Sequence, residues 1–463
     1  MQLNYNDTIS ALPSFKAEDL KLKIRFELAK ANKLIVVLDD DPTGTQTMDN
    51  VSVLTVWNID AIVNEIENGT SVFYILTNSR SMIMAEADAL HQVIAENIRA
   101  AFEKCNRQYI LISRSDSTLR GHFPNDIIAL VDGLQIENFY TAVIPVFFEG
   151  GRYTIDDVQY VKEGEQLIAV AETSFANDKA FGFTASNLKE WVEEKTNGAI
   201  NATDVGSFSI QELRNSSVEQ LTEKIKSLPP SSTFIVNAAT YYDVEKFTLA
   251  YLQSGVQVIF RTAASFVKAI SGTESKALLN KNELTISGNT NGGLIVVGSY
   301  VPKTTKQLQA LHGSKNLLPV EINIEDVLKS NTSIIKTAND VEQIISIGKD
   351  VVIYTSRDLK AGSNENESLA IGNKVSDFIT AIVAMINVVP KFIIAKGGIT
   401  SSDIATKALK IKRATVIGQA LAGVPVWKAG VESKFPGLPY IIFPGNVGDE
   451  NALKDLYQKL IAD

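Results

Sequence analysis

The chain has 463 residues, of which 45% are hydrophobic and 21% are charged, and its formal net charge is −9. This length predicts two or three domains, and the acidic balance argues against broad binding to nucleic acid or to an anionic membrane. One cysteine and three well-separated histidines exclude an intrachain disulfide and a multi-cysteine or histidine-cluster metal site. We therefore expect carboxylates, arginines, lysines and backbone amides to carry the chemistry.

Residues 1–10 lack the basic and apolar regions of a secretory signal. The longest apolar run, about residues 378–389, is shorter than the ~20 residues of a membrane span. We therefore expect a soluble, cytoplasmic protein.

In chain order, a helix is predicted first, over residues 16–32, where Leu20, Ile24 and Leu28 share one stripe. Continuous apolar runs typical of buried strands then alternate with helix-like stretches such as 83–104 and 124–134. The predicted strands are 34–38, 71–77, 109–113, 139–147, 233–240, 256–262, 293–299, 351–356, 391–398, 414–419 and 440–446.

This alternation predicts an α/β fold with two domains, each built on a mostly parallel sheet flanked by helices. The segment 284–293 is rich in Gly, Asn, Ser and Thr and has no periodicity, so we predict the domain boundary there. The predicted domains are residues 1–286, of which 1–32 form a helical extension, and residues 290–463.

Polar segments follow three strands of the first predicted domain. Asp39–Asp41 follow the strand 34–38, Thr77–Arg80 follow the next, and Ser113–His122 contain Arg114 and Arg120. Because ligands of an open α/β sheet bind beyond the carboxyl ends of its strands, these segments predict one crevice for a small, polar, anionic ligand. Adjacent carboxylates raise one another's pKa, which suits a general base, although a lone Asp-Pro pair would be only a solvated turn.

Glycine-containing segments follow three strands of the second predicted domain: Gly298–Ser299, Lys396–Ser402 and Pro444–Gly448. Glycine allows close approach of the backbone, and amides at a helix N-terminus bind phosphate. Each segment alone could be a helix-packing turn, whereas three in one domain favour phosphate binding. Neither a P-loop nor a G-x-G-x-x-G motif occurs in the chain.

A haloacid-dehalogenase-like phosphatase is an alternative, because Asp39-x-Asp41-x-Thr43 after an apolar strand matches the first motif of that class and Ile75–Asn78 resembles the second. The third, acidic motif of that class reads G-D-x-x-x-D. Gly448-Asp449 could begin it, but Leu453 occupies the position of its second aspartate, so the motif is absent there.

Taken together, the motifs resemble the four-carbon acid sugar kinases. The resemblance runs from about residue 33 to the end, and it is carried by Asp40–Gly44, Thr77–Arg80, Arg114–Gly121, Pro145–Phe147 with Gly151–Arg152, Gly298–Ser299, Gly397–Thr400 and Pro444–Gly448. This chain departs from the family pattern at Asp39 and Pro42, at Asn78 where Asp is usual, and at Arg114 where Lys is usual.

The resemblance implies an ATP-dependent kinase that phosphorylates a terminal hydroxyl of a four-carbon acid sugar such as threonate, erythronate or an oxo-tetronate. It also implies that the N-terminal domain binds the sugar acid and the C-terminal domain binds ATP with Mg²⁺. The substrate-binding residues implied by position are Asp41, Arg80, Arg114, Ser115, Asp116, Ser117 and Arg120. The implied nucleotide-binding residues are Ser299, Gly397, Gly398, Thr400, Gly445, Asn446, Val447 and Gly448.

On this hypothesis, Asp41 accepts the proton of the attacking hydroxyl, and Asp40 orients that hydroxyl or helps to hold Mg²⁺. Arg80 and Arg114 would pair with the sugar carboxylate, and Trp427 would pack near the surface of the nucleotide domain. The metal ligands and the oligomeric state, including a homo-oligomer, stay open. A catalytically inactive sugar-acid binding protein also stays open as an alternative function.

Overall fold

The structure is a computed structural model that describes residues 2–16, 18–274, 276–298, 302–330, 332–356, 365–445 and 447–462. Up to residue 274 the strands are β1 (Gln2–Asn4), β2 (Lys33–Asp39), β3 (Val51–Leu54), β4 (Val72–Leu76), β5 (Gln108–Arg114), β6 (Tyr140–Ile144), β7 (Arg152–Ile155), β8 (Val158–Glu163), β9 (Gln166–Ala169), β10 (Gly206–Phe208), β11 (Thr233–Val236) and β12 (Val258–Thr262). The helices of this part are α1 (Tyr5–Ala11), α2 (Leu20–Ala31), α3 (Ile59–Glu67), α4 (Met84–Lys104), α5 (Asn125–Leu134), α6 (Leu188–Lys195), α7 (Ile210–Asn215), α8 (Val218–Lys226), α9 (Tyr241–Ser254) and α10 (Ala264–Ser271).

Beyond residue 275 the strands are β13 (Leu294–Val297), β14 (Leu317–Ile322), β15 (Asp350–Thr355), β16 (Ile393–Lys396), β17 (Arg413–Leu421), β18 (Val424–Ala429) and β19 (Pro439–Phe443). The helices are α11 (Lys281–Leu284), α12 (Pro302–Leu311), α13 (Ile324–Leu328), α14 (Ile334–Ser346), α15 (Glu365–Met385), α16 (Gly398–Asp403) and α17 (Ala452–Ile461).

The chain divides into two compact units, and the polypeptide passes between them more than once. Met1–Asp40 and Val56–Ser275 form the N-terminal unit. Asp41–Thr55 and Lys276–Asp463 form the C-terminal unit, so one short segment from the first part of the chain packs with the second part.

The N-terminal unit contains a parallel sheet with the strand order β10-β11-β6-β12-β5-β2-β4. Its strands are continuous apolar runs because both faces of a parallel sheet are covered; residues 34–38 of β2, for example, are all buried. A small antiparallel sheet, β1-β9-β8-β7, lies beside an apolar cluster that includes Tyr153 and Leu167. The predicted helical extension therefore also contributes a strand, β1.

The C-terminal unit has the parallel strand order β14-β15-β13-β16-β19, continued by the antiparallel strands β18, β17 and β3. Buried aliphatic residues of β13, β15, β16 and β19 pack with α12 and α17 in one core. The prediction of an α/β fold with two domains, each built on mostly parallel strands and helices, is confirmed.

Candidate functional site

The strands β2 and β5 of the N-terminal unit bring two predicted site segments together at their carboxyl ends. Asp39 and Arg114 are the last residues of these neighbouring parallel strands and lie in register. The Arg114 Nη1 donates to Asp39 Oδ1 over 3.2 Å, and both side chains are buried. A buried carboxylate and a buried guanidinium thus compensate each other's charge, which neither could bear alone at low cost.

Asp40, the next residue, is held on both of its carboxylate oxygens. The Arg80 guanidinium donates through Nε to Oδ2 over 3.1 Å and through Nη2 to Oδ1, and the Ser115 hydroxyl also donates to Oδ2. Although burial alone would raise the pKa of Asp40, the guanidinium groups of Arg80, Arg114 and Arg261 lower it below its usual value. Asp40 is therefore an ionised carboxylate committed to its arginine and serine partners.

A third ion pair lies on the loop after β5. Arg120 Nε donates to Asp116 Oδ2 over 2.7 Å, and the Thr118 hydroxyl donates to the same carboxylate. Burial opposes ionisation of Asp116, but Arg120 and Arg80 outweigh it and hold the pKa of this carboxyl well below its usual range. Arg120 also lies 3.6 Å from Asp178.

Gly121 makes room for this arrangement. Its φ of +131° is a backbone conformation that L side chains rarely adopt, and a Cβ there would lie 2.5 Å from the Ser115 Oγ and 2.8 Å from Arg261 Nη2. Arg261, on β12, also approaches Asp126 at 3.5 Å and donates to the carbonyl oxygen of Arg120 over 3.3 Å. Arg261 is not among the predicted site residues, although a charged residue inside the predicted buried strand 256–262 is a signal that could have indicated it.

Ser117 and His122, two further residues of the predicted segment 113–122, hold neighbouring loops of this unit in place. The carbonyl oxygen of Ser117 accepts a hydrogen bond from Gln159 Nε2 over 2.8 Å, and the serine is buried. His122 Nε2 lies 2.9 Å from the carbonyl oxygen of Ser79, so it supports the loop that carries Arg80. The structure thus joins Asp40, Arg80, Arg114, Ser115, Asp116 and Arg120 in one network and leaves Ser117 at its edge.

Asp41 belongs to the other unit, since the division between the units falls directly after Asp40. Its Oδ1 accepts the backbone N–H of Thr43 over 2.8 Å and so begins the short helical turn Pro42–Thr45. Its Oδ2 lies against Gly398, where a Cβ would come within 2.2 Å. A glycine at the start of α16 is therefore what allows this carboxylate to occupy its position.

The predicted phosphate-binding segments Gly298 and Gly397–Thr400 meet at the carboxyl ends of β13 and β16. A Cβ on Gly298 would lie 2.3 Å from the Thr400 Oγ1, so this glycine accommodates the threonine side chain. Gly397 has a φ of +111°, and its N–H donates to the carbonyl oxygen of Phe443 over 2.9 Å. Glycine at these two positions is therefore required by close contacts and by backbone conformation within the unit itself.

The third segment, Gly445–Gly448, is held by buried side chains of α12. The Thr304 hydroxyl donates to the carbonyl oxygen of Gly445 over 3.3 Å, and Gln307 Nε2 donates to that of Val447 over 3.1 Å. Gly448 has a φ of +80°, and a Cβ there would lie 2.4 Å from the Cβ of Ala452. Ser299 and Asn446, two predicted nucleotide-binding residues, lie outside the described residues.

Lys396, a buried lysine at the end of β16, begins the predicted segment Lys396–Ser402 but is not among the implied nucleotide-binding residues. Its Nζ donates to the carbonyl oxygen of Pro444 and lies 4.2 Å from the centre of the Phe443 ring. Burial, together with the positive charge of Lys303, lowers the pKa of Lys396 to about 7. A lysine directly before two glycines at a strand end is the sequence signal that could have identified it.

The expectation for Trp427 is wrong. Its side chain is fully buried, and its indole Nε1 donates to the Thr45 hydroxyl over 3.1 Å. Five of the six residues of β18 are buried, and the segment 41–55 contacts this strand where Thr45 accepts the indole N–H.

No group of three or more His, Cys, Asp or Glu side chains that could hold a metal ion occurs within the part of the chain that the structure describes. Among those same residues, no helix is long and apolar enough to cross a bilayer.

Two family models match this chain. Residues 35–270 match a sugar-binding N-terminal domain, and residues 294–453 match a nucleotide-binding C-terminal domain. The first match contains the arginine and carboxylate network around Asp40, and the second contains the glycine segments. No curated protein sequence matched the chain.

Solved structures share the fold. A Haemophilus influenzae protein, HI1011, of the DUF1537 family has 15% identity and a TM-score of 0.61, with 92% of this chain and 100% of that chain covered. A Salmonella typhimurium LT2 protein described as a "putative tRNA synthase" has 16% identity and a TM-score of 0.66, with 91% of this chain and 98% of that chain covered.

Proposed function

We propose, from the premise that this chain belongs to the four-carbon acid sugar kinase family, that it transfers the γ-phosphoryl group of ATP to a terminal hydroxyl of a four-carbon acid sugar. Threonate, erythronate and the oxo-tetronates are the candidate substrates. The observation that carries the proposal is the network of arginines, carboxylates and hydroxyls around Asp40, which lies in a domain matched as sugar-binding and is paired with a nucleotide-binding domain in one chain.

In the N-terminal unit, the network supplies both charges and hydroxyls for a small polyhydroxylated anion. Arg80 and Arg114 hold Asp40 and Asp39, so we assign them to positioning these carboxylates and to offering their remaining N–H groups to the ligand. Ser115, Asp116, Ser117 and Arg120 complete the proposed substrate set. Carboxylates accept hydrogen bonds from sugar hydroxyls, and serine hydroxyls both donate and accept them.

In the C-terminal unit, the glycine segments are proposed to bind the phosphates of ATP. Gly397 shapes its turn, because its own N–H donates to the carbonyl oxygen of Phe443, and the other residues of the set offer backbone amides. Gly397, Gly398, Thr400, Gly445, Val447 and Gly448 form the described part of this set, and Ser299 and Asn446 are assigned to it from the family resemblance. Mg²⁺ enters this proposal with ATP as part of the substrate. Asp40 does not fit as its ligand, because both carboxylate oxygens are bonded to Arg80 and Ser115.

Asp41 is the proposed general base. The hydroxyl oxygen of the sugar attacks the γ-phosphorus, its proton passes to the Asp41 carboxylate, and the bond between the γ-phosphorus and the bridging oxygen breaks, releasing ADP. The Thr43 amide and the space left by Gly398 set the orientation of Asp41. Asp40 is a poor candidate for this role, because the guanidinium groups of Arg80, Arg114 and Arg261 outweigh its burial and lower its pKa, which makes it a weak proton acceptor.

The test is a panel of four-carbon acid sugars incubated with MgATP, followed by measurement of ADP and identification of the phosphorylated carbon by NMR. We expect at least one acid sugar of the panel to yield phosphorylated acid and ADP in equal amounts. Release of phosphate from a phosphorylated acid without ATP would instead favour the phosphatase. Binding of an acid without any transfer would favour the inactive binding protein.

Asp41→Asn tests the base directly. We expect kcat to fall at least 100-fold, as general-base removal typically costs 10²–10⁴-fold, while KM for ATP changes little. Asp40→Asn should mainly raise KM for the acid sugar and lower stability, because it leaves Arg80 without its carboxylate. Near-normal turnover in Asp41→Asn would overturn its assignment as the base.

A further inference from the structure

The arginines around Asp40 and Asp116 differ in one respect that the sequence does not show. Of the five arginines in this region, four have a carboxylate within ion-pair distance. These pairs are Arg80 with Asp40, Arg114 with Asp39, Arg120 with Asp116, and Arg261 with Asp126. The fifth, Arg152, forms no ion pair with any carboxylate among the residues that the structure describes.

The turn before β7 fixes the position of Arg152. The Nη1 of Arg152 donates to the carbonyl oxygen of Gly150, and a Cβ on Gly150 would lie 2.3 Å from the Phe147 ring and 3.1 Å from that same Nη1. Gly151 follows with a φ of +75°. Two consecutive glycines thus fold the arginine side chain back over its own turn.

The guanidinium of Arg152 has unmet hydrogen-bonding capacity. Among the described residues, its buried Nε has no hydrogen-bond partner, and of the remaining N–H groups only those of Nη1 have a protein acceptor. Burial lowers the pKa of Arg152, and the carboxylates of Asp116 and Glu163 offset this only in part because Arg120 opposes them. A half-buried guanidinium with an unpartnered Nε and no ion pair is a site that a bound anion would complete.

Arg152 and Arg120 approach the same aromatic ring. Their guanidinium carbons lie 5.9 Å and 5.1 Å from the centre of the Phe175 ring. Asp116 and Asp178 both lie within ion-pair distance of Arg120, at 2.7 Å and 3.6 Å, whereas no carboxylate of the described residues lies within that distance of Arg152. A planar guanidinium binds a carboxylate through two parallel N–H groups.

We infer that Arg152, with Arg120 beside it on Phe175, binds the carboxylate of the sugar acid and makes this unit select acids over neutral sugars. The inference rests on the proposed function and deepens it. It moves carboxylate recognition away from Arg80 and Arg114, whose guanidinium groups already hold Asp40 and Asp39.

The experiment compares an acid substrate with its own amide, which has the same hydroxyls and no charge. Wild type should bind and phosphorylate the acid with much the lower KM. Arg152→Met should raise KM for the acid about 100-fold, the loss expected for a charged hydrogen-bonded pair, and leave KM for the amide and for ATP nearly unchanged. Arg152→Lys, which keeps the charge without the planar fork, should fall between the two.

Arg99→Met is the matched control. Arg99 lies on α4 of the same unit and also has a buried Nε without a partner, but it approaches Glu103 at 3.7 Å. The Arg99→Met variant should change neither the KM for the acid nor the KM for its amide. Equal losses on acid and amide in Arg152→Met, or no loss on the acid, would overturn the inference. Thermal melting verifies folding, and Arg152→Lys provides the same comparison if the methionine variant does not fold.

Calorimetric titration of the acid without ATP separates this inference from the proposed function. Weaker binding by Arg152→Met, with no phosphorylation by wild type, would retain the carboxylate site and reject the kinase. Phosphorylation by wild type, with undiminished binding by Arg152→Met, would do the reverse. A wild-type protein that binds no four-carbon acid would reject both.

Discussion

Lys396 is a buried lysine whose charge the folded chain disfavours. Burial and Lys303 lower its pKa from 10.5 to about 7. Between these two pH values the unfolded state holds a proton that the folded state releases, so stability should increase with pH across this window by at most ~1.4 kcal/mol per pH unit. Below pH 7 the folded state carries the full penalty of the buried charge.

Lys396→Met should remove this dependence. The free energy of unfolding, measured with urea at pH 7 and pH 9, should rise less between the two values in the variant than in wild type. The difference between the two proteins isolates this lysine from other titrating groups. Parallel pH profiles would show that Lys396 keeps an ordinary pKa.

At the residue level, the sequence indicates which side chains belong to the candidate site, but it does not indicate which partner each of them binds. The run Asp39–Asp41 was singled out as one cluster, but hydrogen bonds divide it: Asp39 and Asp40 are bonded to arginines of their own unit, and Asp41 caps a turn in the other. Pairing partners 40 to 75 residues away in sequence determine these roles. No local pattern contains that information.

At the level of elements, α16 should depend on Gly398. An alanine there would place a Cβ 2.2 Å from the Asp41 Oδ2, so either the helix start or the carboxylate must move. We expect Gly398→Ala to lower kcat at least tenfold, since small displacements of a catalytic group are costly.

Gly372→Ala is the control for this substitution. Gly372 lies within α15 with nothing within 4 Å of the place where its Cβ would be. Alanine there should leave kcat unchanged and raise the free energy of unfolding by up to about 1 kcal/mol. Similar effects of both substitutions on kcat would contradict the role given to Gly398.

The sequence predicts elements where their burial is uniform. The strands β2, β4 and β5 are recognisable because parallel strands covered on both faces are continuous apolar runs. The short strands β1, β3 and β10 have three or four residues and were missed, because such segments have no periodicity to detect. The predicted helices 83–104 and 124–134 correspond closely to α4 and α5.

For the whole molecule, the two units should respond to different ligands. Hydrogen exchange measured by mass spectrometry should show that ADP with Mg²⁺ protects amides of Gly397–Thr400 and Gly445–Gly448, since backbone N–H groups there are proposed to bind phosphate. A four-carbon acid sugar alone should protect Arg114–Gly121 and Arg152. Protection of Arg114–Gly121 by the nucleotide alone, with none at the glycine segments, would contradict this division.

The segment 41–55 makes the nucleotide-binding unit discontinuous in sequence. Its strand β3 pairs with β17, the Arg413 guanidinium donates to the Ser52 hydroxyl over 2.6 Å, and Thr45 accepts the Trp427 indole N–H. A gene fragment starting at residue 276 would encode a sheet with an open edge along β17, which is a template for aggregation, and would leave a buried indole unpaired. The nucleotide-binding unit therefore cannot be transferred to another protein as residues 276–463 alone. The transferred unit must also include the segment 41–55.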